Sequence, residues 1–219
     1  MSYRELDRQV DLVAKALIAD GALPGDRTAI WAPNMWEWVA AAIGIQRAGG
    51  TMVPLNSRLR GGEVADIIRR GKIQRLFVIG DFLGRYYPQM LRTETMPEIR
   101  RRIVLRARPD QLGQGEERWV DFLAKAAQIS DAALAEREAG VSPDTVADIM
   151  FTSGTTGAPK GAIFESAFPS GRPSLGGHIP PDERRKLLRI RALLAQRRLQ
   201  GRVGRRAYDG QHRTLARLL

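Results

Sequence analysis

The stretch that decides the fold is Leu76-Phe77-Val78-Ile79, a continuous apolar run of strand length. Such a run is typical of a strand that is buried on both faces of a parallel sheet. Two more strands are predicted before it, at Arg27–Trp31 and Thr51–Val53, and one after it, at Ile103–Leu105. Strands of this kind that alternate with helices predict an α/β domain, with a largely parallel sheet flanked by helices.

Helices are predicted between the strands from the spacing of apolar residues and from signals at the helix ends. Asn34 is expected to cap the second helix, because Glu37 follows three residues later. Asp81 is expected to cap a helix that is broken near Pro88. The other helices are predicted at Leu6–Leu17, Gly61–Gly71, Val120–Ala127 and Ala132–Ala139.

The net charge of +11 comes mostly from the end of the chain. Residues 163–219 contain 13 Lys/Arg and 4 Asp/Glu, whereas residues 1–162 contain 22 and 20. The body is nearly neutral, so nucleic acid is not expected as its partner. The sequence has no cysteine, no apolar run of membrane-spanning length and no apolar signal-peptide core near residue 1, and we therefore expect a cytoplasmic protein.

Two groups of residues in the body are interpreted as structural. Trp31, Trp36 and Trp38 are expected to pack in the core or at its rim, with an aromatic-lined ligand site as the alternative. Five arginines surround the strand at 103–105, and we interpret them as the solvated, charged edge of a sheet, because no aromatic residues alternate with them to stack on nucleic acid. They are Arg100, Arg101, Arg102, Arg106 and Arg108.

A loop rich in serine, threonine and glycine follows the apolar run Ile149-Met150-Phe151. Polyphosphate binding requires converging N–H groups, a backbone without obstructing β-carbons and a mobile cation. The loop offers four hydroxyl groups, three glycines and one lysine: Thr152, Ser153, Thr155, Thr156, Gly154, Gly157, Gly161 and Lys160. Its position after a strand corresponds to the edge at which α/β sheets bind ligands.

The order of residues in this loop differs from two common phosphate-binding patterns. A Walker loop requires Gly-Lys followed by Ser or Thr, whereas Pro159 precedes Lys160 and Gly161 follows it. A dinucleotide-binding loop requires Gly-x-Gly-x-x-Gly at the start of a helix. On composition alone, an ordinary flexible loop is the alternative.

The segment Thr152–Gly161 resembles the phosphate loop of the adenylate-forming (AMP-binding) superfamily, which includes acyl-CoA synthetases, luciferases and peptide-synthetase adenylation domains. Five shorter segments are similar, in the same order, to the opening of bacterial fatty-acyl-CoA ligases: Ser2–Leu6, Pro24–Arg27, Trp31–Asn34, Ala48-Gly49 and Val53–Asn56. The resemblance covers residues 1 to about 162 and implies the N-terminal part of the large domain of that superfamily. Residues 163–219 are expected to form a separate basic tail.

The resemblance implies a two-step reaction of fatty-acid metabolism. A carboxylate attacks the α-phosphorus of ATP to form an acyl-adenylate and pyrophosphate, and the thiol of coenzyme A then displaces AMP. The implied cofactors and substrates are ATP, Mg, coenzyme A and a carboxylic acid. The resemblance assigns binding of the ATP β- and γ-phosphates to Thr152, Ser153, Gly154, Thr155, Thr156 and Gly157, with Lys160 as a flexible positive charge beside them.

Motifs that the superfamily carries later in the chain have no match in residues 163–219. They are the adenine- and magnesium-binding segment, the ribose-binding aspartate, the hinge and the C-terminal adenylation lysine. We therefore expect a truncated ligase that retains the phosphate loop, has no catalytic residue or metal ligand of its own, and is inactive alone.

The composition of residues 163–219, with 12 Arg and 1 Lys, is what a shifted reading frame of GC-rich coding sequence produces. Our interpretation is a frameshift-derived tail that is disordered or irregular. The alternative is a basic module that binds nucleic acid or an anionic surface through a helix near residues 182–199. A large domain that ends after its first strands is also predicted to expose apolar faces and an unpaired sheet edge.

Overall fold

The structure, a computed structural model, describes residues 1–142, 144–152 and 160–166. Five α-helices lie within these residues: α1 (Tyr3–Ala19), α2 (Trp36–Arg47), α3 (Gly61–Gly71), α4 (Trp119–Ala124) and α5 (Asp131–Ala139). The strands in the same residues are β1 (Arg27–Trp31), β2 (Thr51–Leu55), β3 (Arg75–Ile79), β4 (Asp81–Phe82), β5 (Arg85–Tyr86), β6 (Arg101–Leu105), β7 (Glu116–Arg118), β8 (Val146–Thr152) and β9 (Lys160–Glu165). Short 3-10 helices occupy Tyr87–Leu91, Pro109–Gln111 and Lys125–Gln128.

Seven strands form one sheet in the order β7-β6-β3-β1-β2-β8-β9. All neighbouring strands are parallel except β8 and β9, which are antiparallel. The run that predicted the fold lies in β3, where Leu76, Phe77 and Val78 have no exposed surface. The predicted α/β fold with a largely parallel sheet and flanking helices is confirmed.

The parallel strands end at a common edge of the sheet. Trp31 at the end of β1 lies opposite Leu55 at the end of β2, and Ile79 at the end of β3 lies opposite Leu105 at the end of β6. This carboxyl edge is where ligands bind in α/β sheets.

An ion cluster joins α1 to the opposite, amino edge of the sheet. The Arg75 guanidinium, 1% exposed, donates to Asp20 Oδ2 at 3.1 Å and to Asp26 Oδ2 at 3.0 Å. Asp20 also accepts hydrogen bonds from Arg101 at 2.9 Å and Lys125 at 3.1 Å. Burial raises the pKa of Asp20, but the hydrogen bonds from the three cations outweigh it and hold that pKa below its usual value.

The prediction that Asn34 caps the second helix is wrong. The N-cap of α2 is Met35, which makes no side-chain capping hydrogen bond. Because the helix begins at Trp36, Asn34 lies one residue too early for its side chain to reach the first turn. The Glu37 carboxylate accepts hydrogen bonds from Arg106 instead.

The helix predicted after Asp81 is also wrong. Asp81–Phe82 and Arg85–Tyr86 pair as an antiparallel hairpin, and a 3-10 helix follows. Leu83 and Gly84 form the turn with φ values of 50° and 71°. A two-residue turn with positive φ at both positions matches the twist of a hairpin. Right-handed helices require negative φ, so the predicted helix cannot pass through these two residues.

The five arginines do not lie at a solvated sheet edge, because β6 lies between β3 and β7. Four of them form ion pairs with carboxylates from other parts of the fold. These pairs are Arg101–Asp20, Arg102–Glu116, Arg106–Glu37 and Arg108–Asp81. The absence of interleaved aromatic residues in the sequence could not distinguish a free strand edge from ion pairing.

Candidate phosphate-binding site

The predicted loop is bounded by the hairpin of β8 and β9. Strand β8 runs parallel to β2, with Met52 opposite Asp148, so it ends at the carboxyl edge of the sheet. Strand β9 returns antiparallel to β8. Thr152, the last residue of β8, lies directly opposite Lys160, the first residue of β9. The two residues that flank 153–159 are therefore neighbours at the carboxyl edge.

Close packing within the hairpin depends on Gly161. A β-carbon at this position would lie 3.1 Å from Ile149 Cγ2 and 3.4 Å from Phe151 Cζ. Ile149 itself is 1% exposed and belongs to the core. An alanine at position 161 would require these side chains to shift by a few tenths of an ångström.

Side chains from α2 and β2 hold the opposite end of β8. The Thr51 hydroxyl donates to the Val146 carbonyl at 2.9 Å, and Gln46 Nε2 donates to Asp148 Oδ1 at 2.9 Å. Asp148 is 8% exposed. Burial raises the pKa of Asp148 from 3.8 to about 6, and the hydrogen bond from Gln46 offsets only part of that effect.

Aromatic residues near the carboxyl edge pack and donate hydrogen bonds within the fold. Trp31 is fully buried, and its Nε1 donates to the Asn56 carbonyl at 3.1 Å. The Tyr87 ring lies 4.7 Å from that of Trp31, and its hydroxyl donates to the Ser57 carbonyl at 2.7 Å. Packing in the core or at its rim was the predicted role of the tryptophans. The structure confirms it for Trp31, for Trp38, which is 7% exposed, and for Trp36, which is 37% exposed and packs edge-to-face on Trp119.

The structure describes only the two ends of the predicted site. Thr152 ends β8, and Lys160 begins β9 with its side chain exposed. The predicted ligands Ser153, Gly154, Thr155, Thr156 and Gly157 lie outside the described residues, as does the helix predicted near 182–199. In the described ranges, no three His, Cys, Asp or Glu side chains are grouped in a way that could hold a metal ion. None of the helices described there has the length and hydropathy that crossing a bilayer requires.

The model of the AMP-binding enzyme family matches residues 1–167. The chain belongs to this family. Curated relatives include the 3-(7a-methyl-1,5-dioxo-octahydro-1H-inden-4-yl)propanoyl:CoA ligase of Mycobacterium tuberculosis, which is 41% identical over 82% of this chain and 35% of the relative. The crotonobetaine/carnitine–CoA ligase of Citrobacter koseri is 30% identical over 74% of this chain and 30% of the relative. This family member thus spans about a third of the length of these curated relatives.

Solved structures with the same fold include the anthranilate CoA ligase AuaEII in complex with anthranoyl-AMP. Its TM-score is 0.63 and its identity 24%, over 75% of this chain and 30% of that one. The N-terminal domain of FACL13 from Mycobacterium tuberculosis has a TM-score of 0.54 and 23% identity, over 75% of this chain and 37% of that domain. These likenesses support the fold of this AMP-binding family member.

Two features of the site were not predicted from the sequence. Strand β9 was missed because Lys160–Glu165 follows directly on the glycine-rich loop and lacks a strand-like alternation of apolar residues. Asp148 was not singled out, although a carboxylate beside the apolar run Ile149-Met150-Phe151 is an unusual choice for a buried strand. That contrast is the signal that could have identified it.

Proposed function

We propose that this AMP-binding family member binds the polyphosphate of ATP through Thr152–Gly157 and Lys160, as the N-terminal part of a carboxylate–CoA ligase. The supporting observation is the register of the hairpin, in which Thr152 and Lys160 lie opposite each other. They lie at the carboxyl edge of the sheet, where the family fold and the α/β rule both favour ligand binding.

The chemistry of the proposed site is charge stabilisation and positioning. Backbone N–H groups and hydroxyls of the loop donate to oxygens of the β- and γ-phosphates, and the Lys160 ammonium offsets their charge. In the complete reaction, this holds the α-phosphorus in line for attack by a carboxylate, with pyrophosphate as the leaving group. The described residues offer no cluster of carboxylates or histidines that could hold the magnesium ion.

The first test measures the affinity of the purified chain for ATP by equilibrium dialysis. We expect a Kd in the millimolar range and a roughly tenfold weakening in Lys160→Ala, equivalent to about 1.4 kcal/mol. Lys72→Asn is the matched control, because it removes one positive charge from an exposed residue that follows α3 at the amino edge. Lys72 has a φ of 46°, a conformation that asparagine accepts. Equal affinities for the two variants would contradict the proposed site.

The second test measures ATP–pyrophosphate exchange. We propose that the chain alone does not catalyse exchange, because residues 163–219 lack the family's adenine, ribose and lysine motifs. Sustained exchange in the presence of carboxylic acids would overturn this part of the proposal and leave the phosphate site intact. We propose a carboxylic acid and coenzyme A as the other substrates of the complete ligase, because the longer relatives are named as CoA ligases.

The interpretation of residues 163–219 as frameshift-derived stays a prediction. It is tested by the nucleotide sequence after codon 162. If another reading frame encodes the missing ligase motifs, the frameshift interpretation holds, and if no frame encodes them, it fails.

A further inference from the structure

The two edge strands of the sheet differ in how well they are protected against pairing. Strand β7, at one edge, has only three residues, and all three are charged: Glu116, Glu117 and Arg118. Short length and charge are the usual means by which an edge strand avoids pairing with another strand. This edge of the described sheet is therefore protected against pairing with a further strand.

Strand β9, at the other edge of the described sheet, lacks these features. It has six residues, Lys160–Glu165, with no proline and with charge only at its two ends. Ala162, Ile163 and Phe164 are half-buried, so their side chains are covered only in part. Every second residue of an antiparallel edge strand directs its N–H and C=O groups away from the sheet. In the described sheet no strand lies beyond β9, so the outer edge of this strand combines outward-directed backbone groups with partly exposed apolar side chains.

The sequence of β9 is complementary to itself in one antiparallel register. In a symmetric pair, a residue can lie opposite only a residue that faces the same way, so the two-fold axis passes through a residue of β9. With Ile163 on the axis, Ala162 lies opposite Phe164 and Gly161 lies opposite Glu165. This register sets a small side chain against a large one in the two pairs that flank Ile163, and it opposes no like charges.

We propose that the outer edge of β9 pairs with β9 of a second copy of this chain, with Ile163 of one copy opposite Ile163 of the other. The two seven-stranded sheets then form one continuous sheet across the two-fold axis. The interface is built on one short strand and is small, so association in the micromolar range is expected. This interaction is independent of ATP binding.

The first experiment uses the unaltered chain. Sedimentation equilibrium from about 1 to about 100 μM should show the weight-average mass rising from that of one chain toward that of two. Amide hydrogen exchange at the two ends of this range should show protection of alternate β9 amides only at high concentration. A monomer at all concentrations would overturn the proposal. Protection in the monomer of those alternate β9 amides that point away from β8 would also overturn it, because another part of the same chain would then cover this edge.

The second experiment tests the register with charge at the axis. Ile163→Lys and Ile163→Glu each place like charges opposite each other, so each variant alone should be monomeric at about 100 μM. An equimolar mixture should associate again, because lysine then lies opposite glutamate. The matched control is Val120→Lys, which adds the same charge on α4 at the far end of the sheet, where Val120 is 61% exposed. Val120→Lys should associate like the unaltered chain.

The outcomes of the second experiment separate the proposal from general effects of charge. If Val120→Lys also becomes monomeric, association does not depend on β9 and the proposal fails. If the mixture of the two Ile163 variants stays monomeric although the unaltered chain associates, Ile163 is not on the axis and the proposed register is wrong. Far-UV circular dichroism of each variant confirms that it is folded before these comparisons are made.

Discussion

The buried carboxylate of Asp148 should limit the stability of the protein at neutral pH. Its pKa is about 6 in the folded protein and 3.8 when the group is not buried. Because the pKa of Asp148 is raised in the folded protein, the favourable contribution of its protonated form to the free energy of unfolding is complete below pH 3.8. This contribution is lost as the pH rises through about 6. The gap between the two pKa values corresponds to a free-energy difference of about 3 kcal/mol.

The substitution that tests this is Asp148→Asn. The amide oxygen can still accept the hydrogen bond from Gln46 Nε2, while the ionisable group is removed. We expect the variant to be more stable than the parent by about 3 kcal/mol at pH 8 and similar to it near pH 4. The free energy of unfolding is measured by urea denaturation at pH 4, 5, 6, 7 and 8.

The control is Asp144→Asn, which removes the carboxylate of an exposed residue shortly before β8. Its stability should follow that of the parent at every pH to within about 0.5 kcal/mol. A difference between Asp148→Asn and the parent that is independent of pH would refute the raised pKa of Asp148 as its cause. The same pH-dependent gain in Asp144→Asn would refute it as well.

Three further substitutions have outcomes that follow from single contacts. Gly44→Ala should lower the free energy of unfolding by about 1–3 kcal/mol in urea denaturation, because a β-carbon there would lie 2.6 Å from Val13 Cβ and Cγ1 where α2 packs on α1. Its control, Gly62→Ala, meets only Glu94 Oε1 at 3.5 Å and should be neutral or slightly stabilising. Asp20→Asn should lower the free energy of unfolding by about 3 kcal/mol at pH 7, because Arg75 loses a charged partner in a buried cluster. This loss should become smaller at low pH, where Asp20 of the parent is protonated. A loss that is the same at pH 7 and pH 3 would contradict this. Tyr87→Phe removes the hydrogen bond to the Ser57 carbonyl and should lower the stability by about 1 kcal/mol, measured as a lower midpoint of thermal unfolding. An unchanged midpoint would show that this bond contributes nothing to stability.

Local signals in the sequence predicted those elements whose ends are determined by neighbouring residues. Ser2 and Glu5 form a capping box at the start of α1, and both of its hydrogen bonds are present. Strand β1 has the predicted bounds, Arg27–Trp31. Such signals act over three or four residues, so they can be read without knowledge of the fold.

The predictions that failed depend on contacts between distant residues. Asn34 and Glu37 have the spacing of a helix cap, but Glu37 is engaged by Arg106, which is 69 residues away. The arginines around β6 look like a charged edge in the sequence. In the fold, β7 pairs with that strand, and the arginines form ion pairs with Asp20 after α1, Glu37 in α2, Asp81 in β4 and Glu116 in β7. Spacing within one segment carries no information about such partners.

By itself the sequence determined the α/β class, the positions of the main strands along the chain and the position of a phosphate-loop motif after an apolar strand. These follow from hydrophobic periodicity and local composition, which act within a few residues. Only the tertiary structure decided that Thr152 and Lys160 lie opposite each other, that Asp148 is buried with a raised pKa, and that β7 and β9 form the edges of the described sheet. Pairing, burial and edge position are set by segments that are distant in the chain and meet only when the sheet assembles.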